Sequence, residues 1–491
     1  MQHFAQKIWI CLLSAAILTS CGAAAPAVQE TLPPDASPTL TATLPSPSAT
    51  PEPTPSGPTL AQPPVNRTHY QLDLILNYYS KFGSVSEAIT YTNRSAQALP
   101  EILLVVPPRD YAGSYQQNNL TGERVAGFRE EGVRTYVQLS SPLQPGESTR
   151  ISINFQLFFP DHQGVFGSTN RQTNIADWYP YIPPFSEEKG WLAYSRQVDE
   201  TNTIVGEYIV NESADFDVSL QLTDRADLIE VAASAPAVEE NGKYRYHLEL
   251  ARAFSFSISD SFFEHEIVQD GVRIHSYVFM NQQESGVAVT EIAAQALKMF
   301  AEMLTPYPRE MISIVSADFL HNMEMDGMVM ISNKVFDFYD NTPLNNLTIL
   351  TPHELSHQWF YSLVGNNSAE EPWLDESLAT YSEVLFYERY YPEDVTWWWT
   401  NRVDEYGPSG YVNSDIYLAG GYNAYRNAVY LNGARFLQEL RVAVGDQAFF
   451  AALKDYAMTN FYGIATRQDF FDAFGRYSQA DIAPILGRYF K

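Results

Sequence analysis

The sequence predicts an α+β chain in two folded parts, an antiparallel β domain followed by a mostly helical domain. Three observations predict it. Between residues 65 and 250, short stretches alternate apolar and polar residues, which is the period of half-buried strands. From Gly286 onward, apolar residues recur at helical spacing instead. The length, 491 residues at 45% hydrophobic content, is ample for two cores.

The first 64 residues are expected to stay outside both domains. Lys7 and the apolar run Ile8–Leu18 read as the start of a signal peptide over 1–20, too short to span a bilayer. Leu18-Thr-Ser-Cys21-Gly22 looks like a bacterial lipobox, which implies cleavage before Cys21 and lipidation of Cys21. A plain secretory signal with a chance cysteine is the alternative. Twelve of the 30 prolines fall between Ala23 and Pro64, too many for regular helix or sheet. Residues 21–64 therefore read as a lipidated cysteine and a disordered Pro/Ser/Thr-rich tether. The expected location is the bacterial cell envelope, outside the cytoplasm and anchored to the bilayer through Cys21.

The β domain is expected over 65–268. Its clearest strands are His69–Leu76, Ala88–Asn93, Glu101–Val106, Arg134–Leu139, Arg150–Phe155, Phe216–Leu222 and Lys243–Leu250. Pro145-Gly-Glu147 and Asn241-Gly242 supply turns between them. The helical domain is expected over 269–491. Val289, Ile292, Leu297, Phe300 and Leu304 mark one face of its first helix, which Pro306-Tyr-Pro308 ends. Met311–Val315 reads as a short strand.

The chemistry centres on Thr351-Pro-His-Glu-Leu-Ser-His-Gln-Trp-Phe360. His353 and His357 are four residues apart, so a helix sets both imidazoles on one face, one turn apart. Two neutral imidazoles so placed can share a divalent metal, and Glu354 between them is positioned as a general base. A catalytic zinc takes three protein ligands and leaves one position open. Glu376 follows His357 by nineteen residues, enough for a loop and a second helix to return a carboxylate, and is the third ligand expected. One zinc ion per chain follows. The helix is expected to start near Thr342-Pro343 or near Thr351-Pro352, where Thr351-x-x-Glu354 also fits a capping box. Glu383, two turns after Glu376, either holds the far nitrogen of a ligand histidine or is an ordinary surface residue. Trp397-Trp-Trp399 reads as core before cleft lining.

His-Glu-Leu-Ser-His-Gln-Trp-Phe followed by Trp373-Leu-Asp-Glu-Ser-Leu-Ala379 resembles the gluzincin zinc aminopeptidases of the membrane alanyl aminopeptidase and leukotriene hydrolase type. The resemblance implies a saddle-like N-terminal β domain and a thermolysin-like catalytic domain, without the helical-repeat domain that ends larger members. Ile89–Ser95, Trp178-Tyr-Pro180 and Gly190-Trp191 are similar to segments of the family's first domain. Met323-Glu324 matches a family segment in which an edge strand binds the substrate backbone and its Glu takes the free α-amine, so both are expected at the substrate. Tyr430, in Tyr430-Leu-Asn-Gly433, matches the tyrosine that stabilises the transition state, with Tyr425 in reserve.

The function expected is zinc-dependent hydrolysis of peptides, removing residues from the N-terminus. His321, Asn322 and Met325 depart from the family's usual residues around Met323-Glu324. That departure motivates an endopeptidase, or a peptidase for modified N-termini, as the rival enzyme. An idle peptide-binding module with a structural zinc is the rival of another class. The net charge of −28, or −29 without Lys7, argues against nucleic acid as a partner. No oligomer is predicted, and the expected partners are peptide substrates and the bilayer.

Overall fold

The computed structural model describes residues 58–491. The leader, Cys21 and most of the expected tether lie outside these residues. Residues 58–64 are coil, and the Ala61 N–H donates to the Met458 carbonyl at 2.8 Å, so this stretch lies against the helical part. Among the described residues, no helix is long and apolar enough to cross a membrane.

Alternation of burial builds the first part. A seven-stranded sheet runs in the order Ala237–Glu240, Lys243–Ala251, Ala214–Leu222, His69–Asn77, Phe82–Thr92, Ser148–Phe158, Tyr115–Gly122. Leu72, Leu74, Val85, Ile89, Ile151, Ile153 and Phe155 leave one face of this sheet and are buried. They share a core with Ile102, Leu104, Val137 and Leu143 of the three-stranded sheet Leu99–Val105, Arg134–Leu143, Val125–Glu131. The part is not wholly antiparallel. His69–Asn77 pairs parallel with Ala214–Leu222, from His69 with Asp215 to Leu76 with Leu222. A parallel pair needs a long crossover, and the chain between residues 78 and 213 provides it.

The boundary expected at 268/269 falls inside a hairpin, Phe262–Gln269 with Val272–Phe279, that belongs to the second part's sheet. That sheet is ordered Phe262–Gln269, Val272–Phe279, Met311–Ala317, Met328–Ser332, Met323–Met325. Its central pairings are parallel, and the helix Gln283–Met303 forms the crossover between Val272–Phe279 and Met311–Ala317. Every residue of Met311–Ala317 is buried, as a covered parallel strand requires, and its two serines, Ser313 and Ser316, donate to the Ala233 carbonyl at 2.9 Å and to Gln282 Oε1 at 2.7 Å. Met323–Met325 is the edge strand. The helices Asn346–Ser356, Trp373–Tyr390, Asn432–Val444, Asp446–Asn460 and Arg467–Tyr477 complete the core around Trp359, Trp373, Phe436 and Phe470.

The two parts are joined by buried polar contacts. Arg252, 4% exposed, donates to the carbonyls of Asn211, Tyr361, Ser362 and Gly463. Asp326 is fully buried, accepts from the Arg252 N–H at 2.7 Å and pairs with Arg309 at 2.8 Å. These bonds pin the loop that follows the histidine helix.

Candidate active site

The helix carrying the two histidines runs Asn346–Ser356. Its N-cap is Asn345, whose side chain accepts from the Thr348 N–H at 3.0 Å. The start lies between the two expected positions, and the Thr342 hydroxyl accepts instead from the Leu344 N–H at 3.2 Å. Thr351 turns its hydroxyl back to the Leu347 carbonyl at 2.7 Å, so Thr351 and Glu354 form no capping box, and Pro352 lies within the helix. His357 closes the helix as C-cap. The bracing helix, Trp373–Tyr390, brings Glu376 in its first turn and Glu383 two turns on.

Ligand atoms of His353, His357 and Glu376 all lie within 4.8 Å of one another, and all three residues are buried. Glu376 Oε2 is 3.5 Å from His353 Nε2 and 3.7 Å from His357 Nε2. In a tetrahedral site with bonds of about 2.0–2.1 Å, ligand atoms stand about 3.3–3.4 Å apart, so this donor set is close to the spacing zinc takes. The same Glu376 oxygen is buried without a hydrogen-bond donor. The far nitrogens are engaged elsewhere: His353 Nδ1 meets Glu383 Oε1 at 2.8 Å, and His357 Nδ1 meets the Phe360 carbonyl at 3.1 Å. Both Nε2 atoms are thereby left to face Glu376. The residues present fit zinc. A second acidic group, Glu324, Glu354 and His357, borders the first.

Glu383 is fully buried and is not a surface residue. Besides His353, it accepts from Trp398 Nε1 at 3.1 Å, Arg402 Nε at 2.8 Å and Arg402 Nη2 at 2.8 Å. Burial alone would raise its pKa, but the Arg402 guanidinium overrides this and holds the carboxyl below the ordinary range. Trp398 is fully buried, as the core reading of the tryptophan run expects, and it also braces this carboxylate.

Tyr430 donates its hydroxyl to Glu376 Oε1 and stacks on His353 with ring centroids 6.0 Å apart. Burial, reinforced by the Glu376 charge, raises its pKa, so the phenol keeps its proton. Tyr425 packs edge-on against it at 5.8 Å and is buried. Close helix packing fixes this meeting. A Cβ on Gly433 would lie 2.1 Å from Ser377 Oγ, and Ser377 itself donates to the Val429 carbonyl at 2.6 Å. The glycine after Tyr430 is therefore what lets its helix approach the one that carries Glu376.

A cavity of about 360 Å³ opens above these residues. Glu324, 5% exposed on the edge strand, lines it beside Met323, and its Oε1 has no donor. Sequence reasoning missed Glu207, whose carboxyl lies against that of Glu324 in the same cavity. It comes from an aperiodic stretch of the first part, so no spacing could reveal it. Gly206 beside it permits the approach, since a Cβ there would lie 2.7 Å from the Tyr425 hydroxyl. Burial pushes Glu207 and Glu324 well above the usual carboxylate range and Glu354 up to about 8. Burial opposes charge on His353, yet hydrogen bonds to Glu376 and Glu383 carry it up to about 10; burial pushes His357 down to about 4. Burial is the largest influence on each of these groups, and the carboxyls gathered here, Glu207, Glu324, Glu354 and Glu376, form a site that a divalent cation and an ammonium group would neutralise.

Residues 289–489 match the model of the Peptidase family M1 domain. Aminopeptidase N of Lactobacillus helveticus is 28% identical over 305 residues, covering 57% of this chain and 36% of its own. Aminopeptidase M1-D of Oryza sativa is 23% identical over 222 residues, 41% of this chain and 25% of its own. The chain thus spans about a third or less of the length of these relatives. The crystal structure of an M1 zinc metallopeptidase from Deinococcus radiodurans superposes with a TM-score of 0.59 at 18% identity, over 87% of this chain and 94% of that one. The family's domain is thus matched over residues 289–489, which hold the HExxH and glutamate helices, and these similarities support the gluzincin aminopeptidase family for this chain.

Proposed function

We propose that the protein is a zinc aminopeptidase that removes residues from the N-terminus of peptides. The observation that carries this reading is the convergence, in one cavity, of the His353, His357 and Glu376 donor set with Glu354 and a carboxylate pair, Glu207 and Glu324. When bound by those three residues, one zinc ion supplies Lewis-acid chemistry, acidifying water and polarising the amide carbonyl.

The chain's own residues supply the rest. Glu324 and Glu207 pair with the substrate's ammonium group, which limits how far the peptide can enter and so fixes which bond reaches the histidines. Met323 flanks that anchor on the edge strand, where the backbone can pair with an extended peptide. Glu354 takes a proton from the attacking water and returns it to the departing amine; a buried carboxylate is a better base than a solvated one. Tyr430, protonated and next to Glu376, donates to the oxygen that gains charge in the transition state. The leader and Cys21 support a lipid-anchored enzyme outside the cytoplasm.

A mixed peptide pool with free and with acetylated N-termini tests the reading. Zinc-loaded protein should shorten only the free pool, residue by residue in mass spectra. Glu354→Gln should keep its zinc and lose cleavage by about 10²-fold or more. Equal cleavage of both pools would replace the exopeptidase by an endopeptidase. Unchanged cleavage by Glu354→Gln would remove the proposed base.

A further inference from the structure

Two arginines line the otherwise acidic cavity, Arg402 and Arg426. Their situations differ. Arg402 is committed to Glu383 through two hydrogen bonds. No carboxylate of the described residues lies within ion-pair distance of Arg426. Its Nε and Nη2 instead meet a neutral acceptor, Oδ1 of the adjacent Asn427, at 3.2 and 2.9 Å. The guanidinium lies over the Tyr406 ring, 4.5 Å from its centroid. Asn427 in turn donates to the Tyr406 carbonyl at 3.4 Å. An aromatic face and an amide thus hold the planar fork in place while leaving its charge without a counter-ion.

The location is specific. Arg426 opens the π-helical turn Arg426–Leu431, four residues before Tyr430, and both residues line the cavity. Four residues advance a helix by about 6 Å. Along the helix axis the backbone of Arg426 is therefore about one turn from that of Tyr430. With the substrate's ammonium at Glu324 and Glu207, a free cation at this distance faces later parts of the peptide. A residue of extended chain spans about 3.3–3.6 Å, so one or two residues of peptide cover the gap.

We propose that Arg426 receives a carboxylate carried by the substrate, and so makes the site selective for peptides that present one close to the cleaved bond. This rests on the peptidase reading above. Two sources share the chemistry: the α-carboxylate of a di- or tripeptide, and the side chain of an Asp or Glu near the N-terminus of a longer one. A guanidinium recognises either by two parallel N–H donors, and with Nε and Nη2 turned to Asn427 the Nη1–Nη2 edge is the one that remains. The negative charge elsewhere in the cavity repels such a peptide unless this group is present.

Steady-state kinetics on the zinc-loaded full chain test the proposal. Three substrates share the same leading residue: a tripeptide with a free C-terminus, its C-terminal amide, and the amide with Glu in the second position. We expect kcat/KM to exceed that of the plain amide by about 10- to 100-fold for one of the two carboxylate-bearing peptides. Preference for the free acid identifies the α-carboxylate; preference for the Glu-containing amide identifies the side chain. Arg426→Gln should abolish the preference and Arg426→Lys should keep part of it, because Lys retains the charge without the fork. A thermal melt shows whether each variant folds. Parent protein that cleaves all three peptides alike overturns the inference while leaving the peptidase reading intact, and so does a preference that survives in folded Arg426→Gln. Parent protein that cleaves none of them overturns both.

Discussion

Replacing Arg402 by Met should loosen the metal site without touching a ligand. Glu383 is fully buried and accepts four hydrogen bonds, two of them from Arg402 at 2.8 Å. Removal leaves the carboxylate with Trp398 and His353 only. An uncompensated buried charge costs about 3–5 kcal/mol, and Glu383 can escape most of it by taking a proton. That escape has a consequence at His353. An ionised Glu383 accepts from Nδ1–H and leaves the Nε2 lone pair free toward Glu376, whereas a protonated Glu383 can donate to Nδ1 and shift the ring proton to Nε2. A histidine with a proton on Nε2 cannot ligate through that atom. Loss of such a partner weakens metal binding about 10- to 100-fold, or about 1.4–2.7 kcal/mol. Competition with a chromogenic chelator reads zinc affinity directly, with no need for substrate. Arg402→Lys should fall between parent and Met. Because Arg402 acts through Glu383, the double variant with Glu383→Gln should lose less than the sum of the single losses. Zinc affinity in Arg402→Met within twofold of the parent, or strict additivity in the cycle, would refute the relay.

Two further outcomes are expected. Glu87 is 1% exposed in the β core, opposite Leu72 and Ile153, with neither oxygen hydrogen-bonded, and burial raises its pKa well above the ordinary value. Its cost is therefore absent below the unfolded pKa near about 4.3 and grows as pH rises toward the folded value. Glu87→Leu should stabilise the protein by about 1–3 kcal/mol at neutral pH, and the gap in melting temperature should shrink toward pH 4. A gap that does not change with pH would count against a titrating carboxyl. Gly433→Ala should cost about 1–3 kcal/mol by overpacking against Ser377 and should lower kcat by moving Tyr430. Adding Ser377→Gly should restore part of both; an alanine variant as stable and active as the parent would show that the helices have room to spare.

What the sequence determined is what local periodicity controls. An i, i+4 spacing is a geometric property of any helix, so His353 and His357 share a face wherever the helix lies. Alternation likewise located the strands at the centre of the large sheet, because a one-residue slip would turn every apolar side chain to water. The motif around Glu376 and the tyrosine before Gly433 were legible through their resemblance to the gluzincin aminopeptidases. Phe166–Ser168 and Thr173–Ile175 were invisible for the opposite reason: three residues each is too short to show a period, and Met323–Met325, equally short, was legible only through the resemblance. Tertiary structure alone decided the rest. The parallel pairing of His69–Asn77 with Ala214–Leu222 joins segments separated by the whole crossover. Glu207 meets Glu324 only because Gly206 packs beneath Tyr425. Arg402 is neutralised and Arg426 is not, although both lie in similar π-helical turns, because only one of them faces Glu383. Charge compensation in a buried site depends on distances of a few ångströms between remote segments, and no pattern along the chain encodes them.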